Sequence, residues 1–234
     1  MTLRNLVISA ITLMLGRPFT LDPDVPLSTL AARAISTATG LMRGTIFIRR
    51  RLVLSRGARV RTPRKLQVGG GLVRIEEYCL IDCLSRDGIS LGRNFKLGAY
   101  SRMVASGSIA DLGKGIIVGD NVGIGEFAYI GGAGGVIIGA DCIVGQYLSV
   151  HPEDHVFSDL ERPIRDQGVT RKGIEIGPGC WIGAKVTILD GARVGKGSVV
   201  AAGSVVTRSF PDHSLIGGVP ARMIRRLNYA AKSE

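Results

Sequence analysis

Residues 174–208 read IEIGPGCWIGAKVTILDGARVGKGSVVAAGSVVTR, and an aliphatic residue returns at every sixth position: Ile176, Ile182, Ile188, Val194, Val200 and Val206. Glycine follows three of them, at Gly177, Gly183 and Gly195. A helix face repeats about every 3.6 residues and a strand face about every 2, whereas six fits one short strand plus one corner. Three such units close one triangular turn. Successive turns stack at a strand spacing of roughly 4.8 Å and send the aliphatic column inward. Glycine after the inward residue lets the corner take dihedrals closed to residues that carry a side chain.

The same period runs upstream through Val118, Ile124 and Ile130, then, shifted by two residues, through Ile138, Val144 and Val150. Ile75 with Ile81 and Leu91 with Leu97 are weaker echoes. Composition agrees with a long, thin core. Glycine takes 33 of 234 positions and aromatic residues only 5%, as a narrow interior filled by aliphatic side chains requires. The chain divides into an N-terminal extension, 1–65, a repeat region, 66–210, with an insertion at 151–173, and a C-terminal segment, 211–234.

No two of Cys79, Cys83, Cys142 and Cys180 form a C-x-x-C pair, so neither a zinc knuckle nor a disulfide framework is signalled, and a reducing compartment is expected. Cys142 and Cys180 each stand four residues after an inward aliphatic position, where a small hydrophobe packs readily. A thiol nucleophile is not expected.

Leu6 to Leu15 is apolar apart from Ser9 and Thr12, yet shorter than the roughly 20 residues that span a bilayer. Its lone Arg4 and the Gly16-Arg17-Pro18 that follows argue against a signal peptide, leaving a packing or membrane-surface helix. Leu27, Leu30, Ala31, Ala34, Ile35, Ala38, Leu41 and Met42 predict a second helix ending near Gly44, which caps the open coil or docks on a neighbouring subunit. Arg49, Arg50, Arg51, Arg56, Arg59, Arg61, Arg64 and Lys65 follow with no acidic residue between them, and supply much of the formal charge of +11. Beside two apolar helices this run suits a solvated edge, an anionic membrane surface or a lipid-linked phosphate. Nucleic acid is not expected, since nothing aromatic is interleaved with the charge.

Chemistry is expected where the repeat breaks. After Val150 comes HPEDHVFSDLERPIRDQGVTRKG, read as the only long insertion of the repeat region, with two of the three histidines beside carboxylates. Imidazole near its own pKa can take and return a proton. Zinc is the competing use of these histidines, but His213 lies far along the chain and the insertion holds no cysteine, so no metal is expected.

The two columns, this insertion, CWIGAKVTILDGARVGKGSVVAAGSVVT and the tail GGVPARMIRR together resemble the hexapeptide-repeat acyltransferases, and within them the sugar and capsule polysaccharide O-acetyltransferases. The resemblance covers roughly residues 115–226 and leaves 1–65 without a match. It implies a mainly β chain: a left-handed parallel β-helix with an N-terminal helical extension and a short C-terminal helix. It further implies a homotrimer with acetyl-CoA in a groove between neighbouring subunits, a sugar or glycolipid acceptor and a cytoplasmic location. In the family a loop histidine deprotonates the acceptor hydroxyl. Glu153, Asp154 and His155, followed by Val156, Phe157, Ser158 and Asp159, match that motif, with Asp154 where relatives often carry Asn. His155 is the candidate base and His151, in a His-Pro pair, the reserve; Glu153 or Asp154 is expected to orient the ring. By motif, Trp181, Ala184 and Ala202 line the groove for the pantetheine arm, and Thr207, Arg208, Arg222 and Arg225 meet the adenosine and phosphate end, where arginine's forked donors suit phosphate. A non-catalytic repeat scaffold that docks on a membrane or protein is the alternative, and a zinc-dependent carbonic anhydrase-like enzyme a third reading.

Overall fold

The computed structural model describes residues 3–16 and 18–228. The period of six becomes a three-sided coil. One side, sheet A, stacks Val53–Leu54, Arg74–Ile75, Lys96–Leu97, Gly123–Ile124, Ile143–Val144, Trp181–Ile182 and Val199–Val200 in parallel. Sheet B runs from Arg59–Arg61 to Val205–Val206, and sheet C from Leu66–Val68 to Arg193–Val194. The inward columns are in register. Ile124 pairs with Val144, Val144 with Ile182 and Ile182 with Val200. Each of these residues is buried, as are Ile130, Val150, Ile188 and Val206 in sheet B. One side chain from each strand of sheets A and B and two from each central strand of sheet C, with small residues from the corners, fill the triangular interior, so the core is narrow in cross-section.

The corners differ in chemistry. Between sheets C and A an amide ladder climbs the edge: Asn94 Nδ2 donates to Asn121 Oδ1 (3.0 Å), and Asn121 Nδ2 to Asp141 Oδ1 (2.9 Å). Between sheets A and B, Tyr78, Tyr100, Phe127 and Tyr147 hold left-handed backbone, φ 56–60°, and stack ring on ring at 5.0–5.3 Å. These rings stand outside the coil, which is how aromatic residues fit a chain whose interior is almost wholly aliphatic. Phe95, fully buried, and Phe210, at 5% exposure, are the exceptions among the described residues.

Apart from one extra residue between Val68 and Ile75, departures from the period fall at the third corner, between sheets B and C. The two-residue shift between Ile130 and Ile138 is a corner widened by Gly131–Gly135. The insertion after Val150 occupies residues 152–173, between Ser149–His151 and Ile174–Ile176. It is not the only excursion: residues 105–115, between Arg102–Val104 and Ile116–Val118, leave the coil at the same corner. Val104 and Ile116 therefore belong to neighbouring sides of one turn, a link that the period alone does not expose.

Strand pairing begins before residue 66. Val53 pairs with Arg74 and Arg59 with Leu80, so the basic run lies partly within the first turn. The extension holds α1 (Leu3–Leu15) and α2 (Leu27–Arg43), and α2 leads into a wide helical turn, Gly44–Ile48, above the first strands. At the other end the expected short helix is replaced by an antiparallel hairpin. Ser214–Gly218 joins sheet A beside Val199–Val200, and Ala221–Arg226 folds back along it after a turn at Val219-Pro220. The tail alternates well enough to extend a sheet, and pairing there covers an edge that would otherwise present unpaired backbone groups. Residues 229–234 of the C-terminal segment lie outside the described residues.

Candidate active site

The histidine loop is built from its base. Pro152 leaves the coil against Gly134, where any Cβ would collide with the Pro152 carbonyl oxygen. The loop then forms a two-stranded ribbon in which Asp154 pairs with Thr170 and His155 with Val169. At its foot Arg171 donates from Nε to Glu153 Oε2 (2.6 Å) and from Nη1 to Asp111 Oδ2 (2.7 Å). Asp111 belongs to the excursion 105–115 and also faces Arg86 at 3.7 Å. On the return, buried Asp190 accepts from the backbone N–H groups of Lys172 (2.9 Å) and Gly173 (2.8 Å). Charged hydrogen bonds of this length are the strong kind, and three of them tie the ribbon to the body of the coil.

The two histidines have different surroundings. His151 ends a strand of sheet B, with its ring stacked on Tyr129 (5.5 Å) and Nε2 2.7 Å from Ser149 Oγ. His155 sits exposed on the ribbon, and its ring makes no hydrogen bond among the described residues. Neither acid orients it as expected. Glu153 is engaged by Arg171, and Asp154, adjacent in an extended strand, projects to the opposite face from His155.

The expected donor contacts fall into two groups. Trp181 is outward and exposed on sheet A, in a row that register carries through Val199 and Leu215 to Arg225, three strand spacings or about 14 Å away. Arg222 pairs with Gly217 in the same hairpin. Ala184 and Ala202 follow those strands at the corner between sheets A and B, stacked so that Gly183 packs on the Ala202 amide. Here the aromatic ladder has given way to Lys185 and Gly203. Thr207 and Arg208 lie instead at the corner of the histidine loop, with the Arg208 guanidinium 5.5 Å above the Phe210 ring. Sheet B thus joins the groups, with the histidines at one edge and the two alanines at the other.

A depression of about 450 Å³ lies on sheet C, lined by Lys114, Ile117, Ile137, Lys172, Glu175 and Arg193 among others. Neither histidine lines it. Arg171, Asp111 and Arg86 escaped the sequence reading because their partners are far apart in the chain; the long gap between Met103 and Ile116 was the available hint.

The four thiols are buried. Burial pushes Cys79 up to about 11 and Cys83 up to about 12, and Cys180 is raised by the neighbouring Cys142 side chain and by burial. Thiols held protonated in this way are inert at neutral pH, and Cys142, lowered by its hydrogen bond with the Cys180 side chain, is shielded from reagents by burial. A thiol-labelling reagent is expected to modify the native protein slowly and the denatured protein at once; rapid native labelling would contradict the packing.

Comparison with known proteins agrees with this architecture. The family described as bacterial transferase hexapeptide (six repeats) matches residues 173–208. A putative lipopolysaccharide biosynthesis O-acetyl transferase of Escherichia coli, WbbJ, is 30% identical over 152 residues, covering 62% of this chain and 74% of that protein. A probable acetyltransferase of Mycobacterium tuberculosis is 33% identical over 117 residues, covering 49% of this chain but only 39% of that protein. Among solved structures, AntD, an N-acyltransferase from Bacillus cereus crystallised with a dTDP-amino sugar and coenzyme A, superposes with a TM-score of 0.50 at 21% identity, over 76% of this chain and 81% of that one. That likeness speaks for the fold alone. With a period-six coil, an inserted loop at one corner and a relative matched over most of its length, the chain belongs to the hexapeptide-repeat acyltransferases and has their left-handed parallel β-helix.

Proposed function

We propose that this chain moves an acetyl group from acetyl-CoA to a hydroxyl of a sugar or polysaccharide precursor, with His155 as general base. The observation that carries the reading is the ribbon itself: an exposed imidazole on a loop braced at its foot by Arg171, Glu153 and Asp111. A rigid base with an open ring suits proton abstraction from a hydroxyl brought to it. The proton leaves as the oxygen attacks the thioester carbonyl, backbone N–H groups steady the oxyanion, and collapse breaks the C–S bond and returns the proton to the coenzyme A thiolate. No acyl-enzyme is needed, in keeping with the inert thiols.

The donor lies along the corner of Ala184 and Ala202, whose backbone amides meet the two amides of pantetheine. Trp181 flanks it and Arg222 and Arg225 meet its phosphates, while Thr207 and Arg208, at the opposite edge of sheet B, meet the donor held by a neighbouring subunit. Coenzyme A is the group named with AntD on this fold, and O-acetyl transfer the activity named for WbbJ. Neither histidine lines the depression on sheet C, which suits a site between subunits of a homotrimer, closed by a neighbour. Acetyl-CoA and sugar precursors put the reaction in the cytoplasm.

Saturating acetyl-CoA is expected to stabilise the protein. At a hundredfold excess over Kd the gain is about 2.7 kcal/mol, or roughly 5–10 °C in Tm for a chain of this size. No shift at millimolar acetyl-CoA favours the scaffold alternative. A screen of nucleotide sugars, free sugars and lipid-linked oligosaccharides with labelled acetyl-CoA identifies the acceptor, and an amine as the best acceptor would overturn the O-acetyl assignment.

Arg171→Ala is expected to lower kcat by about 10²-fold, since a displacement of the base near 1 Å costs that much. KM for acetyl-CoA should hardly move, because Arg171 is far from the Trp181 row. Unchanged kcat would mean that the ribbon keeps its place without the brace.

A further inference from the structure

The apolar stripe of α2 faces away from the coil it caps. On a helical wheel Leu27, Ala31, Ala34, Ile35, Ala38 and Met42 share one side, and all six are exposed, Ile35 at 64%. The helix docks through the adjoining flank. Leu30 and Gly40 are buried, Gly40 packs where a Cβ would lie 2.6 Å from Val53 Cγ1, and Gly44 sits against the Leu52 carbonyl. The capping face is therefore the glycine flank together with buried Leu30 and half-buried Leu41 at the edge of the apolar stripe, and the rest of the stripe stays exposed. Ile46 and Phe47, the latter 70% exposed, follow it in the next turn. Nearby, α1 adds exposed Leu6 and Leu13, its start held by Arg4, which donates to the carbonyls of Pro23 (2.7 Å) and Val25 (2.9 Å).

Positive charge outweighs negative around this apolar surface, where Asp22 and Asp24 stand just before α2 and Glu76 faces Arg74 at 3.9 Å. From Val25 to Ile75 the chain carries eleven basic residues and no acidic one: Arg33, Arg43, Arg74 and the eight from Arg49 to Lys65. All eight of that run are exposed. Acids return with Glu76 and Glu77, and Arg61 reaches Asp82 at 3.5 Å.

We propose that this end of the coil docks peripherally on a bilayer with anionic headgroups, α2 lying in the interface with Ile35, Met42 and Phe47 among the acyl chains and the arginines among the phosphates. A second copy of the chain would bring like charges together across any self-complementary contact. Nucleic acid would answer the charge but leave the apolar stripe in water. A lipid surface satisfies both. No helix among the described residues is long and apolar enough to cross a membrane, so the contact is made from one side. The strand Ser149–His151 is four strand spacings from Arg59–Arg61, about 19 Å, which keeps the histidine loop clear of the bilayer. The proposal does not depend on the acyl-transfer reading.

Co-sedimentation of the full chain with vesicles tests it. At physiological salt, vesicles of phosphatidylcholine with about one third phosphatidylserine should bind at least about tenfold more tightly than phosphatidylcholine alone, with loss at high salt. Ile35→Asp combined with Met42→Asp should abolish binding, and Arg49→Gln combined with Arg51→Gln should weaken it severalfold. Should the first pair unfold by circular dichroism, the arginine pair, at exposed positions, carries the test. Equal binding to both vesicle types, binding to neither, or wild-type behaviour of the folded variants overturns the proposal. Folded variants that change the oligomeric mass without changing vesicle binding would assign the surface to a second copy instead.

Discussion

His155→Ala is expected to lose turnover by about 10²–10⁴-fold while still binding acetyl-CoA, the range over which a positioned general base contributes. The loss falls on kcat because the imidazole acts on the hydroxyl proton as the new C–O bond forms, and contributes little to holding either ground-state substrate. The geometry also separates the two histidines. His151 is held by Ser149 Oγ and stacked on Tyr129, so its alanine variant loses a strand-end contact. His155 makes no such contact, and its truncation leaves the ribbon pairing with Val169 intact. Steady-state kinetics on both variants, with acetyl-CoA binding followed by calorimetry, checks the assignment. Turnover within a few-fold of wild type in His155→Ala, with collapse in His151→Ala, would transfer the role of base to His151.

Ile182→Ala is expected to destabilise the coil by about 2–5 kcal/mol, the cost of emptying a fully buried aliphatic site. Its neighbours Val144 and Val200 sit directly above and below in register. In so narrow a core few side chains are free to shift into the space left, and Val144 and Val200 are held in place by their own strand pairing. The cost therefore belongs at the upper end of the range. Trp181→Ala, one residue earlier on the same strand, removes an exposed outward ring and should change Tm little while weakening acetyl-CoA binding. Thermal melts of the two variants, with and without acetyl-CoA, form the comparison. Similar Tm losses in both would show that the outward row, too, supports the coil.

Much of the architecture was legible because the period of six is a local pattern. Val118 to Val150 and Ile176 to Val206 are all buried, and the loop after Val150 does leave the coil at a corner. The tail misled. PARMIRR was read as part of a helical end, yet its strand pairs with Ser214–Gly218, a choice made by the exposed edge of sheet A rather than by propensity. The stripe of α2 marks a helix correctly, but only its Leu30 and Leu41 edge turns to the coil, beside the glycines that allow close approach to Leu52 and Val53.

The chain's order of residues thus settled most of the coil and one of the places where it opens, since each follows from neighbours six positions apart. It could not say that Asp111, sixty residues away, would meet Arg171, that Glu153 would be taken by that arginine and not by histidine, or which side of α2 would meet the coil. Those outcomes depend on long-range contacts between excursions of different turns, which exist only after the turns have stacked.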